Sequence, residues 1–271
     1  MINSTDDLVG ALGRAAPIPL YFPTGTTVAG GFTNLSRLVV GGQFGQIAVP
    51  PAATAGGHVP TDNLIGFPTF PNPGVGQATY LAGISLSNAA AGLLLIYDRV
   101  YAVSGFVGNV TTPQPVTAPP ALPASRAPNG GAALEIWLES YTAVGATAAN
   151  VTVTYINQDG VAGRTTLPMP ITASFPAGRA QRLSLADGDT GVQAIEGVQL
   201  SASTGAAGNF GVVLRRQMTL SPLPMVQTGL VQDFADVRMP QVPDDAALEF
   251  LHLATGSATG VLLGNITLIQ G

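Results

Sequence analysis

Cysteine and lysine are both missing from this 271-residue chain, and histidine occurs only at His58 and His252. Without cysteine there is no thiol nucleophile, disulfide, or cysteine-bound zinc or iron–sulfur site. Without lysine there is neither a Schiff base nor the lysine of a phosphate-binding P-loop. We therefore expect no cofactor and no bound metal, and we expect that the chain is not an enzyme.

Charge is scarce as well. Only 9% of the residues are charged, against about 25% in typical soluble domains. The ten basic residues are all arginine, and the fifteen acidic residues give a formal net charge of −5. Nucleic-acid binding needs a basic cluster, whereas Arg215-Arg216 is the one adjacent basic pair. Nucleic acid is therefore not an expected partner.

Long apolar runs are also lacking. The longest nearly continuous one covers residues 89–97, far short of the roughly 18 residues that suggest a membrane span. The first residues, Met-Ile-Asn-Ser-Thr-Asp-Asp, show neither the positive nor the apolar region of a secretory signal. We expect a soluble protein with no membrane partner, synthesised in a cytoplasm.

The chain is nevertheless rich in apolar residues, glycine and proline. It is 46% hydrophobic and contains 34 glycines and 22 prolines. A surface with so few charges is poorly solvated on a free monomer and favours coverage by neighbouring protein. The composition therefore predicts a homo-oligomer or a component of a larger assembly.

One short helix is predicted, over residues 4–13. Ser4 can cap it, and acidic residues occupy its first turn. Leu8, Val9 and Leu12 are predicted to form its apolar face. Such a short helix needs a docking surface to persist.

The rest of the N-terminal region, which we place at residues 1–76, reads as an extended arm rich in proline and glycine. Proline denies donors to a sheet, and paired glycines indicate turns. The arm is too apolar for a free linker, so it is expected to lie either on its own core or on a neighbouring subunit. Its candidate interface residues are Leu20, Tyr21, Phe22, Phe32, Phe67 and Phe70.

Residues 77–271 are predicted to form a β-sandwich domain. Short runs with a period of two and turns at glycine and proline indicate an all-β, antiparallel, jelly-roll-like fold. Asp159-Gly160 predicts a hairpin turn, and the proline-rich residues 106–131 predict a further arm or loop. Predicted strands cover residues 80–87, 92–103, 133–141, 151–156, 164–167, 171–175, 181–185, 194–201, 210–220, 248–253 and 261–269.

One short motif invites a catalytic interpretation. Asp189-Thr190-Gly191 matches the signature of aspartic proteases, whose chemistry needs two carboxylates that share a proton. The motif occurs once, and Asp187-Gly-Asp-Thr-Gly191 is better interpreted as a hairpin turn. A calcium loop is the other alternative, but the spacing does not match an EF-hand.

The strand predicted over residues 133–141 holds the chain's single tryptophan. Trp137 and Tyr141 are further interface candidates, beside Glu135 and Glu139. The two carboxylates stand four residues apart, about 13 Å along a strand, too far for the acid pair of a glycosidase. The alternatives are a sugar-contacting or interface strand and a plain solvated face.

The remaining polar groups receive structural interpretations. His252 is expected to be a hydrogen-bonded histidine inside the sandwich, and His58 is expected to meet solvent or a partner's carboxylate. The pairs Asp98-Arg99 and Arg215-Arg216 are predicted to be charges at an interface or a sheet edge.

Several segments resemble a family of structural proteins from tailed bacteriophages. The resemblance is diffuse, covers most of the chain, and contains no catalytic motif. It is carried by Ile18-Pro-Leu-Tyr21, Leu93-Leu-Leu-Ile-Tyr-Asp-Arg-Val-Tyr101, Gly108-Asn-Val-Thr-Thr-Pro-Gln114, Trp137-Leu-Glu-Ser-Tyr-Thr-Ala-Val-Gly-Ala146, Ala186-Asp-Gly-Asp-Thr-Gly-Val192, Thr204-Gly-Ala-Ala-Gly-Asn-Phe-Gly211 and Thr259-Gly-Val-Leu-Leu-Gly264.

This resemblance implies a virion component, and a capsid decoration (cement) protein fits best. Such proteins are small, all-β and often trimeric. The expected partners are subunits of the major capsid protein and further copies of the chain in a homotrimer, and the expected location is the capsid exterior. A tail or neck protein and a carbohydrate- or cell-surface-binding module are the alternatives.

Overall fold

A computed structural model describes residues 2–26, 29–38, 43–171, 175–223, 229–257 and 259–271, and side chains for all of these except 24–26, 38, 259 and 260. The described chain is all-β, with mainly antiparallel strands and a few short helical segments. Its helices are α1 (Thr5–Gly13), α2 (Leu35–Leu38), α3 (Pro128–Gly131) and α4 (Phe234–Val237), with a 3₁₀ turn at Ala53–Ala55.

Sixteen strands are described between and after these helices. In chain order they are β1 (Ala16–Thr26), β2 (Phe32–Asn34), β3 (Thr79–Asn88), β4 (Gly92–Phe106), β5 (Gln114–Pro115), β6 (Leu134–Thr142), β7 (Ala149–Asn157), β8 (Arg164–Thr165), β9 (Met169–Ile171), β10 (Arg179–Leu183), β11 (Val192–Leu200), β12 (Asn209–Leu223), β13 (Leu230–Gln232), β14 (Gln241–Val242), β15 (Leu248–Ala254) and β16 (Thr259–Gln270).

The chain forms two compact units. Unit 1 comprises Met1–Ile47, Thr61–Tyr97 and Met218–Gly271, and unit 2 comprises Ala48–Pro60 and Asp98–Gln217. Strands β4 and β12 each contribute one part to either unit. The predicted division at residue 76 does not coincide with a boundary between these units.

In unit 1, one sheet has the strand order β1-β16-β3-β13, with β14 also paired to β3. A second group of strands pairs β2 with β15, and β15 with β4. Buried apolar residues from both groups share one core, in which the rings of Phe22 and Phe250 lie 5.4 Å apart between centroids. Unit 1 therefore has two β-layers over a common core.

The predicted arm contributes a strand to this core. β1 pairs antiparallel with β16, with Leu20 opposite Gly264. The Tyr21 carbonyl accepts from the Gln43 amide, so backbone groups of alternate residues point away from β16. Pro17 lies in that alternation and has no N–H to offer, as is typical of a protected edge strand. For these residues, the alternative in which the arm lies on its own core is the observed one.

The predicted N-terminal helix is confirmed as α1. Ser4 caps it by accepting from the Asp7 amide at 3.1 Å. Its docked face differs from the prediction, because Ala11 is buried there with Leu8 and Leu12 packed beside it, whereas Val9 is 62% exposed. Leu8 is three residues from Ala11 and four from Leu12, so these three share one helix face, whereas Val9 is rotated about 100° from Leu8 and points away from it.

In unit 2, one sheet has the order β5-β11-β7-β8, with β9 also paired to β7. A second group of strands runs β4-β12-β6-β10. Residues of both groups again share one core, where the rings of Phe106 and Phe210 lie 5.8 Å apart. Unit 2 thus repeats the two-layer arrangement.

The strand predictions from alternation agree with the structure in most places. The turn at Asp159-Gly160 is confirmed: the Gly160 amide donates to the Asn157 carbonyl at 3.0 Å, and Gly160 adopts the positive φ of 79° that such a turn requires. Most of the strand predicted over 171–175 lies outside the described residues. Strands β1, β2, β5, β13 and β14 were not predicted, because they are short or rich in proline.

The proline-rich residues 106–131 form a loop of unit 2 rather than a free spacer. β5 pairs with β11, and Val116 belongs to the unit's core. The side chain of Gln114 holds the loop by accepting from the Val107 amide at 2.9 Å and donating to the Val107 carbonyl at 3.1 Å.

Candidate functional site

Most of the predicted interface residues are buried within their own unit. Leu20, Phe22, Phe67, Phe70, Trp137 and Tyr141 are all less than 9% exposed, and Phe32 is half-buried. For the arm residues, this burial corresponds to the predicted alternative in which the arm lies on its own core. Tyr21, at 42% exposed, is the most exposed member of the predicted set.

Tyr21 belongs to an uncharged surface on unit 1, which we call the outer face. It consists of two rows of residues that are register partners across the sheet. One row reads Pro19, Asn265, Ser85 and Val231, and the other reads Tyr21, Leu263 and Ser87.

The outer face alternates with the core face of the same strands, as the pleat of a sheet requires. On it Leu263 is 49% exposed and Val231 is 75% exposed. No member of either row carries a charge. When another protein surface covers the apolar side chains of this face, their burial lowers the free energy by about 25 cal/mol per Å² of apolar area.

The polar face of β6 in unit 2 is buried, which corrects the interpretation as a plain solvated face. Glu139 is fully buried, accepting from Arg99 Nη1 at 2.9 Å and from Arg215 Nη2. The Arg215 guanidinium lies 5.3 Å from the centroid of the Trp137 ring, within the range of a cation–π contact. Tyr141 joins the network, because its hydroxyl accepts from Arg99 at 3.2 Å.

A second buried ion pair joins Asp98 to Arg126. Arg126 Nε donates to Asp98 Oδ2 at 2.9 Å, and Arg126 Nη1 donates to the Pro60 carbonyl at 2.6 Å. The prediction of interface or sheet-edge charges is therefore wrong for Asp98, Arg99 and Arg215, each of which is fully buried. Arginine suits such positions because its planar fork satisfies several acceptors at once.

The Asp187-Gly-Asp-Thr-Gly191 segment contains a turn, in which the Asp189 amide donates to the Ala186 carbonyl at 3.1 Å. It is not the predicted hairpin, because the flanking strands β10 and β11 belong to different sheets. Asp189 accepts from the Tyr155 hydroxyl at 2.6 Å, from Asn157 Nδ2 at 2.8 Å and from Arg164 Nε at 2.8 Å. The Arg164 hydrogen bond is the main cause that lowers the pKa of Asp189 to about 2. Burial, followed by the Asp189 hydrogen bond, raises the pKa of Tyr155. A carboxylate held ionised by three donors is suited to fastening a turn and unsuited to sharing a proton.

Both histidines avoid the charged form. His252 is fully buried in unit 1, with Asn88 Nδ2 lying 3.3 Å from its Nε2, and burial lowers its pKa to about 4. Its interior position agrees with the prediction. His58 is half-buried, and burial followed by the charge of Arg99 lowers its pKa to about 4. The backbone of His58 pairs with Ala102, which fixes its position within unit 2.

Two interactions that sequence reasoning missed involve buried polar pairs. Asn34 Nδ2 donates to Glu249 Oε2 at 3.0 Å, and both side chains are fully buried in unit 1. In the irregular segment before β3, the Phe70 amide donates to the carboxylate of buried Asp62 at 3.1 Å. The partners are far apart in the sequence or lie in irregular loops, so local pattern carries no signal for them.

Within the described ranges, no group of three or more histidine, cysteine, aspartate or glutamate residues is arranged to hold a metal ion. Among the same residues, no helix has the length and apolarity needed to cross a membrane.

Comparisons with known proteins give no family assignment. No family model and no curated protein matches the sequence. Among solved structures, the chain is similar to a mutant VP2 protein of infectious bursal disease virus in derived T=1 particles, with 13% identity and a TM-score of 0.17 over 94% of this chain and 63% of that one.

Two further structures of the same virus are similar to this chain. The Gt strain structure shows 13% identity and a TM-score of 0.18 over 94% of this chain and 66% of that one. The VP2 subviral particle shows 10% identity and a TM-score of 0.19 over 96% and 82%. The chain thus spans less than two thirds of the length of the first two structures. TM-scores this low carry no inference about function.

Proposed function

We propose that the chain is a non-enzymatic structural protein of a tailed-bacteriophage virion, bound to the outside of the capsid as a decoration (cement) protein. Its partners are subunits of the major capsid protein and further copies of itself in a homotrimer. It is synthesised in the host cytoplasm and located on the capsid exterior. The sequence resemblance to tailed-phage structural proteins supports this assignment.

The observation that carries the proposal is the uncharged outer face of unit 1. Tyr21 and Leu263 are direct partners across β1 and β16, and they are 42% and 49% exposed. Because these residues lie on a paired sheet, little conformational entropy is lost when the face docks. Covering it removes the apolar side chains of Tyr21, Leu263 and Val231 from water, and none of the residues in its two rows is charged.

The internal placement of charge supports a structural role as well. Unit 2 uses the charges of Arg99, Arg126, Arg215, Asp98 and Glu139 inside itself, where they are hydrogen-bonded to one another or to the backbone. These side chains link strands and loops of the unit through their hydrogen bonds. They are therefore not free to act on a substrate.

Three finer features belong to the same proposal. The two-layer packing of both units supports a jelly-roll-like antiparallel sandwich. Residues 1–76 and 77–271 act as an N-terminal region and a body, with residues 106–131 as a loop of the body. Contacts with partner subunits centre on Tyr21, and its strand neighbours Leu20 and Phe22 pack into the core of unit 1 on the opposite face of β1. The other candidate contact residues of the proposal are Phe32, Phe67, Phe70, Trp137 and Tyr141.

The test is co-sedimentation of the purified chain with capsid shells that lack it. We expect the wild-type chain to bind, and Tyr21→Ser combined with Leu263→Ser to lower binding at least several-fold. Val161→Ser is the matched control, because Val161 is an apolar side chain of unit 2 that is 52% exposed. Absence of wild-type binding, or an equal loss with the control, would overturn the proposal.

A further inference from the structure

Unit 2 contains a cavity that the proposed virion role does not use. Its volume is about 660 Å³, within the range of roughly 300–1,000 Å³ typical of small-molecule sites. It lies where β6 begins, beside β10 and the turn that follows β10. Its polar lining comes from Glu135, Arg182, Ser184, Asp189, Thr190 and Gln217.

The carboxylates of this cavity already have cationic partners. Arg182 Nη2 lies 3.2 Å from Glu135 Oε1, and the indole N–H of Trp137 donates to Glu135 Oε2 at 2.8 Å. Asp189 is paired with Arg164 at 2.8 Å. Two acids and two arginines therefore balance around the cavity, and an ionic ligand would have to displace one of these pairs.

The remaining polar lining is neutral and exposed. Ser184 and Thr190 offer hydroxyl groups, and Gln217 offers an amide that both donates and accepts. Leu185, which is half-buried, adds an aliphatic surface to the same wall. Exposed hydroxyls and an amide beside an apolar patch match a molecule that has many hydroxyl groups and one aliphatic face.

We propose that this cavity binds a neutral saccharide unit. The sugar hydroxyls exchange hydrogen bonds with the exposed hydroxyls of Ser184 and Thr190 and with the Gln217 amide, and the C–H face of the ring packs on Leu185. The charge balance selects against uronic acids and other anionic sugars. This adds a binding activity to the assembly role, directed at a polysaccharide surface rather than at protein.

The test is ligand-observed NMR on the full chain, with the methyl glycosides of glucose, galactose, mannose and N-acetylglucosamine as probes and glucuronic acid as the anionic comparison. We expect saturation transfer to at least one neutral glycoside. Gln217→Ala and Ser184→Ala should each weaken its binding by about threefold to tenfold, the loss of roughly one hydrogen bond.

Gln199→Ala is the control, because Gln199 is an exposed glutamine of unit 2 outside the cavity. Circular dichroism checks that each variant folds. Three results would overturn the proposal: binding of none of the neutral glycosides, binding of glucuronic acid alone, or equal weakening by Gln199→Ala. Because the measurement uses the isolated chain, its outcome is independent of shell binding, and either proposal can fail without the other.

Discussion

Arg215 donates to Glu139 at a position in unit 2 where neither side chain is exposed to solvent. Removing Arg215 leaves Glu139 paired with Arg99, so the expected cost is that of a buried hydrogen bond to a charged group, about 1.5–3 kcal/mol. In the pair between Arg182 and Glu135, the arginine side chain is 60% exposed, so solvent screens the interaction, and such pairs each contribute about 0–1 kcal/mol. The two arginines therefore offer a matched comparison within one unit.

We predict that Arg215→Gln lowers the free energy of unfolding by about 1.5–3 kcal/mol and that Arg182→Gln lowers it by less than about 1 kcal/mol. Chemical denaturation of both variants measures the difference. Similar losses in the two variants would contradict the buried network.

The second prediction concerns acid stability and His252. Its pKa is about 4 in the folded chain, against an ordinary value of 6.5. The stability that neutral His252 contributes is thus fully present above pH 6.5 and is lost as the pH falls toward 4. The reason is that the unfolded chain binds a proton over this range and the folded chain does not. The slope is about 1.4 kcal/mol per pH unit for one proton.

We expect His252→Gln to remove this slope between pH 6.5 and 4, in denaturation curves collected across the range. The slope that belongs to His58, whose pKa is also lowered to about 4, should remain. An identical pH dependence in the variant and the wild-type chain would show that His252 titrates normally in the folded state.

The third prediction concerns the turn at Asp189. The Arg164 hydrogen bond is the largest cause of its low pKa, so Arg164→Gln should raise the carboxyl titration midpoint from about 2 toward the ordinary 3.8. Carbon-detected NMR of the aspartate carboxyls follows this directly. Arg182→Gln serves as the control and should leave the midpoint unchanged. If Arg164→Gln left the titration midpoint unchanged, Arg164 would not be the main cause of the low pKa of Asp189.

The fourth prediction uses a close approach between two loops of unit 2. A Cβ added at Gly145 would lie 1.9 Å from the Thr204 carbonyl oxygen and 2.5 Å from the Ala206 amide nitrogen. Gly145→Ala should therefore lower the free energy of unfolding by about 1–3 kcal/mol. Gly13→Ala is the control, because a Cβ there meets nothing within 4 Å and alanine favours a helix. Thermal unfolding of the two variants measures the difference in stability. Equal stability of Gly145→Ala and Gly13→Ala would contradict the close approach of the two loops.

Alternation along the chain was sufficient to predict β6, but it could not reveal what covers the strand. Glu139 stands on the polar side of that alternation, which is typical of a solvated face. Its partners Arg99 and Arg215 lie 40 and 76 residues away. A local pattern gives the two faces of a strand, and only the pairing of distant strands determines whether both faces are buried.

In the N-terminal region, local signals predicted the extended segment but not the strand with which it pairs. Proline indicated an extended segment correctly, and the apolar content indicated that it lies on protein. The register that places Pro17 opposite Thr267 joins the two ends of the chain, and nothing local encodes it. The cavity of unit 2 was equally beyond prediction, because Gln217 of β12 and Ser184, which follows β10, both line it and carry no motif.

The most direct test of the virion assignment is electron microscopy of purified phage particles labelled with a gold-conjugated antibody against the chain. Our account predicts label distributed over the outside of the heads, and particles lacking the chain should lose their heads' resistance to heat. Label confined to tails or necks, or particles without any label, would contradict it.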